Sequence, residues 1–264
     1  MSPRGDLAVV IPARNESDRI GATVRAAARI PGVDMVVVVD DGSVDGTGCE
    51  AALAGATVVR HARNRGKAAA METGAEAVLV LEARGAGPAH GTGSALVPGR
   101  PRHLLFLDAD LAETAAHAGP LTAPVLTGQA DMTIAVFTTR VKRGGHGVVL
   151  GLSGAGIERA TGWRPAEPLN GQRCLTRAAF EAATPLAAGW GAETGLTIDL
   201  LRQGMRIVEV RVPLAHRATG RDMSSQVHRV RQLAGVARAL AARQPWQRAP
   251  VRPDAQVTGQ ADVA

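Results

Sequence analysis

Hydrophobic positions in the first eighty residues fall into short runs that alternate with amphipathic stretches. Leu7 to Glu16 (LAVVIPARNE) is a β-rich run closed by Pro12 and followed by a polar loop, after which Ile20 to Ala28 carries a helical pattern. Met35 to Thr47 (MVVVVDDGSVDGT) reads as a fully apolar strand ending in Asp40 and Asp41, with Gly42 and Ser43 turning the chain into a second helix. His61 to Val78 places Arg63, Asn64, Gly66 and Lys67 just before a third helix. This alternation, sustained to Leu81, predicts βαβ units and a mostly parallel sheet. His103 to Leu111 (HLLFLDADL) is another apolar strand, and it stops at two aspartates one residue apart.

Between these elements, Glu82 to Pro101 is rich in Gly and Pro and reads as a surface loop. Further on, Thr114 to Leu126 is expected to be helical and Asp131 to Thr139 a strand. Arg140 to Thr161 is glycine-rich and reads as a long connection, either a flexible tether or a lid. Helices are expected at Arg177 to Ala183 and Gly189 to Arg202, and a strand at Arg206 to Val212. A last helix from Ser225 to Arg243 carries Val227, Val230, Leu233, Ala237 and Leu240 on one face, as a helix docked on its own core would. The expected organisation is a single domain over 1–244, with halves 1–111 and 112–244 sharing one sheet, and a disordered tail over 245–264.

Composition narrows the class. The 264 residues include 2% aromatics and no tyrosine, so the core must be built from Val, Leu, Ile and Ala. A formal net charge of +6 suits nucleic acid, an anionic membrane surface or anionic substrates. The arginines are scattered and no stacking platform accompanies them, which sets nucleic acid aside. Cys49 and Cys174 lie far apart without metal-ligand spacing, as free thiols in a reducing compartment would. No apolar h-region precedes the first strand, and no apolar run reaches the roughly 20 residues that span a bilayer. A soluble cytoplasmic protein is the expectation.

The polar loops all follow strand ends, the edge of an open parallel sheet where ligands bind. Alternate side chains of a strand point the same way, so Asp108 and Asp110 can offer two hard oxygen ligands to one divalent cation. Gly66 and Lys67 at a helix start suit an anion, through close backbone approach, the helix dipole and a point charge. Each feature has a plainer reading as a turn, a cap or an exposed lysine; their order along the chain is what gives them weight.

That order, Pro-Ala-Arg-Asn-Glu, Asp-Asp-Gly-Ser-x-Asp-Gly-Thr, Asn-x-Gly-Lys and Asp-Ala-Asp, resembles the nucleotide-sugar half of family 2 glycosyltransferases with the GT-A fold, over residues 7–111. LNGQRCLTRAAF, GWGAETGLTIDLL and VPLAHRATGRD are similar, more weakly, to the acceptor half of actinobacterial members that act on phosphoglycerate or polyprenyl phosphate. The resemblance implies an α/β fold, with a GT-A, Rossmann-like, mostly parallel sheet flanked by helices and a nucleotide-sugar half fused to an acceptor half.

It also implies roles. Pro12, Ala13 and Glu16 would embrace the base and ribose, and Asp41 would contact the base. Asp110 would bind Mg²⁺ or Mn²⁺ directly, Asp108 would reach ribose or metal through water, and His216 would complete the metal site. Lys67 would add charge at the leaving diphosphate. Arg217 and Arg221 would hold a phosphate of donor or acceptor, and Asn170, Gly171, Gln172 and Arg173 match an acceptor-side loop. Glu193 would act as base if the reaction inverts the anomeric centre, or hold sugar or acceptor hydroxyls if it retains.

The activity implied is metal-dependent transfer of a hexose from a nucleoside diphosphate sugar, UDP-glucose favoured, to a small phosphorylated acceptor such as 3-phosphoglycerate. A polyprenyl-phosphate acceptor at the membrane surface is the alternative, and peripheral membrane contact and homodimer formation stay open. A nucleotidyltransferase would show a glycine-rich loop directly after the first strand, which PARNESDRI lacks. A non-catalytic sugar-nucleotide sensor need not keep both aspartates.

Overall fold

The computed structural model describes residues 6–85, 101–138, 147–214 and 223–243. Seven strands form one sheet: β1 (Leu7–Ala13), β2 (Val33–Asp40), β3 (Thr57–Arg60), β4 (His103–Phe106), β5 (Met132–Phe137), β6 (Arg173–Leu175) and β7 (Ile207–Val212). Their order across the sheet is β3-β2-β1-β4-β6-β5-β7. The β1/β2, β1/β4, β2/β3 and β5/β7 pairs are parallel, while β6 runs antiparallel to both β4 and β5.

The helices are α1 (Ser17–Ala27), α2 (Thr47–Leu53), α3 (Lys67–Ala83), α4 (Ala123–Leu126), α5 (Gly147–Thr161), α6 (Arg177–Ala183), α7 (Ala192–Arg202) and α8 (Met223–Ala242), with a 3-10 segment at Ala112–Leu121. They cover both faces, which is why the central strands are nearly continuous apolar runs. Successive side chains leave a strand on opposite faces. Val10, Val37 and Val39 therefore join a core with Met71 and Val78 of α3 and Leu196 of α7. Val9, Ile11 and Val38 join the opposite core, with Ile20 and Val24 of α1 and Leu121 of the 3-10 segment.

Two expectations change here. The glycine-rich stretch from Arg140 is not one long connection, since residues 147–161 form α5; the rest of that stretch, 140–146, lies outside the described residues. Val149, Ser153, Ile157 and Ala160 recur at helical spacing and are all buried, so periodicity outweighs the low helix propensity of the glycines. Among the described side chains of α8 the docked face is Val236, Ala239 and Leu240, while Leu233 and Ala237 point to solvent; the side chains of Val227 and Val230 lie outside the described residues. The small residues Gly235 and Ala239 set that rotation: a Cβ on Gly191 would lie 2.5 Å from Ala239 Cβ and 2.7 Å from Gly235 O. Among the described residues no helix is long and apolar enough to cross a membrane. Cys49 is exposed and Cys174 buried, both as free thiols.

Candidate active site

The loops that follow β1, β2 and β3 meet at one edge of the sheet and are stitched together by side chains. Asn15 N donates to Ser43 Oγ at 3.0 Å, Val44 N donates to Asn15 Oδ1 at 3.0 Å, and Glu16 N donates to Thr47 Oγ1 at 2.9 Å. Ser43 N in turn donates to Asp40 Oδ1 at 2.9 Å, and Asp41 N to Ala13 O at 2.9 Å. Pro12 and Ala13 close β1 beside Val39 and Asp40 of β2. Glu16 is the N-cap of α1, its carbonyl accepting from Arg19 N and Ile20 N. Backbone edges and half-buried side chains at this point suit a planar base and a ribose.

Asp41 is engaged differently from the base contact expected of it. Its carboxylate is 5% exposed and accepts from Arg65 N at 2.7 Å and Gly66 N at 2.8 Å, and Oδ1 lies 2.7 Å from His61 Nδ1. Burial works against its ionisation, but the hydrogen bonds from His61, Arg65 N and Gly66 N outweigh that and hold its pKa below the usual aspartate value. His61 Nε2 meets Thr73 Oγ1 of α3 at 3.0 Å. Gly42, at φ +70°, backs onto this loop so closely that a Cβ would lie 2.7 Å from Asn64 N. Asp41 thus braces the loop that delivers Lys67.

Lys67 is the first residue of α3, and its ammonium reaches across the site to two carboxylates. Nζ donates to Asp108 Oδ1 at 2.7 Å and lies 3.1 Å from Glu193 Oε1, in the first turn of α7. The Lys67 side chain is a quarter exposed and that of Glu193 is 5% exposed. Burial alone would lower the pKa of the ammonium; the charges of Asp108 and Glu193 outweigh it and hold the pKa above the ordinary lysine value. Gly171 closes the fourth side, where a Cβ would collide with Lys67 Nζ and lie 2.9 Å from Asp108 Oδ1. Any larger residue at 171 would fill the cleft.

The two aspartates lie beyond the strand proper, since β4 ends at Phe106. Strand alternation therefore does not orient them, and α1 does. Thr23 Oγ1 donates to Ala109 O at 2.8 Å and accepts from Ala112 N at 2.8 Å, while Arg19 Nη1 donates to Asp110 O at 3.0 Å. Thr23 and Arg19 carried no signal in the sequence, because their partners lie some ninety residues away. Asp108 and Asp110 are all-oxygen, hard donors of the kind Mg²⁺ or Mn²⁺ prefers. Oδ1 of Asp108 accepts from Lys67, so that oxygen already faces a cation. Among the described residues no cluster of three or more His, Cys, Asp or Glu forms, so further ligands must come from a bound diphosphate or from residues outside these segments. His216, Arg217 and Arg221 lie outside the described residues.

Asn170 and Gln172 do not present open side chains to an acceptor. Asn170 is 4% exposed, donates through Nδ2 to Ala135 O at 2.8 Å, and accepts from Gln172 N at 2.9 Å. Gln172 is fully buried. They shape the turn that sets Gly171 against Lys67. The structure therefore brings Lys67, Asp108, Gly171 and Glu193 together, and places Pro12, Ala13 and Glu16 in the adjoining loop cluster. Asp199, on the far turns of α7, pairs instead with Arg243.

The family model of glycosyl transferase family 2 matches residues 8–150, just over half of the chain. A glucosyl-3-phosphoglycerate synthase of Mycolicibacterium paratuberculosis is 28% identical over 209 residues, covering 73% of this chain and 59% of that protein. This chain thus spans about three-fifths of the length of that curated relative. The crystal structure of glucosyl-3-phosphoglycerate synthase from Mycobacterium tuberculosis in complex with phosphoglyceric acid is 26% identical, with a TM-score of 0.67 over 90% of this chain and 79% of that one. The same enzyme in complex with Mg²⁺ and uridine diphosphate gives a TM-score of 0.68 at 24% identity, over 90% of this chain and 78% of that one. The seven-stranded sheet flanked by helices is the GT-A fold of those structures. By its sequence and its sheet, this chain belongs to glycosyl transferase family 2.

Proposed function

We propose that the chain is a metal-dependent glycosyltransferase that moves a hexose from a nucleoside diphosphate sugar, UDP-glucose favoured, to a small phosphorylated acceptor such as 3-phosphoglycerate. The observation that carries this reading is the Lys67 ammonium, held between Asp108 and Glu193 over the Gly171 turn and beside the loops that would hold a nucleotide. It is a fixed cation at the point where a sugar and its diphosphate would meet.

In the transfer, the bond from the sugar's anomeric carbon to the diphosphate oxygen breaks and its electron pair leaves with the nucleoside diphosphate. An acceptor oxygen forms the new bond to that carbon and loses its proton. Mg²⁺ or Mn²⁺, held by Asp110 with Asp108 and with His216 as a further candidate ligand, would neutralise charge on the diphosphate. Lys67 adds a second positive centre that needs no reorganisation, because its two carboxylates already fix it. Glu193, buried and facing Lys67, would hold sugar or acceptor hydroxyls, or take the acceptor's proton if the reaction inverts. Pro12, Ala13 and Glu16 would line the base and ribose. Arg217 and Arg221 remain candidates for the acceptor phosphate.

A small acceptor is favoured over a polyprenyl phosphate because the C-terminal half of α8 buries Val236, Ala239 and Leu240 against the protein itself. The similar enzyme crystallised with phosphoglyceric acid supports the same choice.

The test is a panel of nucleoside diphosphate sugars with Mg²⁺ or Mn²⁺, followed by phosphoglycerate and polyprenyl phosphate with the best donor. Release of nucleoside diphosphate and a glycosylated three-carbon acid is expected. Release of pyrophosphate would point to a nucleotidyltransferase, and binding without turnover of any donor to a sensor. Transfer to polyprenyl phosphate alone would replace the acceptor.

A further inference from the structure

Arg173 is the largest fully buried side chain among the described residues, and the charges it feels from Glu193 and Glu209 act without a direct ion pair among those residues. Its guanidinium is instead distributed over backbone and hydroxyl oxygens from two separate pieces of chain. Nε donates to Asn170 O at 2.8 Å and Nη2 to Pro168 O at 3.1 Å, on the turn that ends in Gly171. Nη1 donates to Thr197 Oγ1 at 2.8 Å and to Glu193 O at 3.2 Å, in the first turns of α7. Thr197 Oγ1 also donates to Glu193 O at 2.9 Å, so that carbonyl is held twice.

These two pieces are the walls on either side of Lys67: Gly171 on one, the Glu193 carboxylate on the other. A planar fork with donors in fixed directions spans them, which a lysine could not do. Burying this cation is costly even with the charges of Glu193 and Glu209 opposing the penalty, and apolar side chains of similar volume often serve a packing position as well or better.

We infer that Arg173 is a positioning residue that fixes the width of the cleft between the Gly171 backbone and the Glu193 carboxylate, acting on the reaction through Lys67 and Glu193 without touching substrate. This rests on the glycosyl-transfer reading of the site. It takes Arg173 out of the acceptor-contacting loop and gives it a role behind that loop.

The experiment compares wild type with Arg173→Met, Arg173→Lys and Thr197→Val, with Arg177→Met as control. Arg177 is also buried, but it lies away from the cleft, donating to Ala75 O and facing Glu82. Hydrogen exchange is read first, on protein without substrate. In Arg173→Met the amides of residues 169–172 and 193–197 are expected to exchange faster, while those of 40–47 and 65–70 are unchanged. Nucleoside diphosphate affinity with Mg²⁺ should stay within about threefold, while kcat for donor turnover falls roughly 100-fold, the size expected when reacting groups are displaced by about 1 Å. Thr197→Val, which removes one arm of the fork, should fall between. Arg177→Met should lose stability and keep kcat.

Unchanged or uniformly faster exchange in Arg173→Met would overturn the inference, as would normal kcat. Full rescue by Arg173→Lys would overturn it too, by showing that charge alone suffices. If wild type turns over no donor, the functional reading fails, and the exchange pattern still decides the positioning role.

Discussion

His61 Nδ1 lies 2.7 Å from Asp41 Oδ1, and both side chains are buried beneath the loop that starts α3. A carboxylate accepts at this contact, so the proton sits on Nδ1. Asp41 then gathers three donors, two of them backbone amides immediately ahead of Lys67. Asp41→Ala is expected to leave those buried donors without their acceptor and to cost about 1–3 kcal/mol of stability, measured by urea denaturation. Nucleotide affinity should weaken as well, because the loop delivering Lys67 loosens. A variant with native stability would show that the brace is dispensable.

Lys67→Met should lower donor turnover roughly 10²–10³-fold, as removal of one fixed charge from a transition-state site does. The pH dependence of stability gives a second measurement. Lys67 has its pKa raised in the folded state, so its contribution is fully present below the ordinary lysine value of 10.5 and is lost as pH rises through the folded value. The stability difference between wild type and Lys67→Met should be level from pH 7 to 9 and shrink only above pH 10.5. A difference that grows with pH would mean the ammonium is not held by its two carboxylates.

Asp110→Ala should abolish metal-dependent turnover while leaving the fold intact, because the turn is held through the Asp110 carbonyl, which accepts from Arg19, and through Thr23, and the substitution keeps both. The variant should also lose the rise in melting temperature that Mg²⁺ with uridine diphosphate gives wild type. Normal activity in this variant would remove Asp110 from the metal site.

Gly191→Ala places a methyl 2.5 Å from Ala239 Cβ and 2.7 Å from Gly235 O. Overpacking should cost about 1–3 kcal/mol. Combining it with Ala239→Gly should recover part of that loss, since the clash is shared. Two effects that simply add would show that α8 does not rest on Gly191.

The nucleotide loops were legible in the sequence because their connections are local in pattern. An apolar run, a polar cluster and a helical period recur three times before residue 80, and the structure stitches those clusters to one another. The functional-site geometry was less legible where it depends on distant partners. Thr23 sets the turn around Ala109 and belongs to no recognisable pattern at its own position; Arg173 falls in a segment that matches an acceptor-side loop, but nothing there shows that it joins the 168–171 turn to α7. Strand β6 is three residues long and sits antiparallel within a parallel sheet, too short for alternation to register. Helix α5 was hidden by its glycines, although Val149, Ser153 and Ile157 keep a period of four. For Asp41 the resemblance implies contact with the base, and its sequence position alone does not show the inward hydrogen bonds it makes, because a motif aspartate at a strand end can face either way. His61 and the amides of Arg65 and Gly66 decide its direction, and they lie twenty or more residues on.

The seating of α8 over Gly191 bears on how the protein is made. The loops after β1, β2 and β3 are complete once the ribosome has passed Lys67, yet the turn carrying Glu193 gains its outer wall only when Val236, Ala239 and Leu240 emerge, and Asp199 its partner only with Arg243. A nascent chain therefore has the loop that delivers Lys67 well before the Glu193 wall facing it is braced from behind.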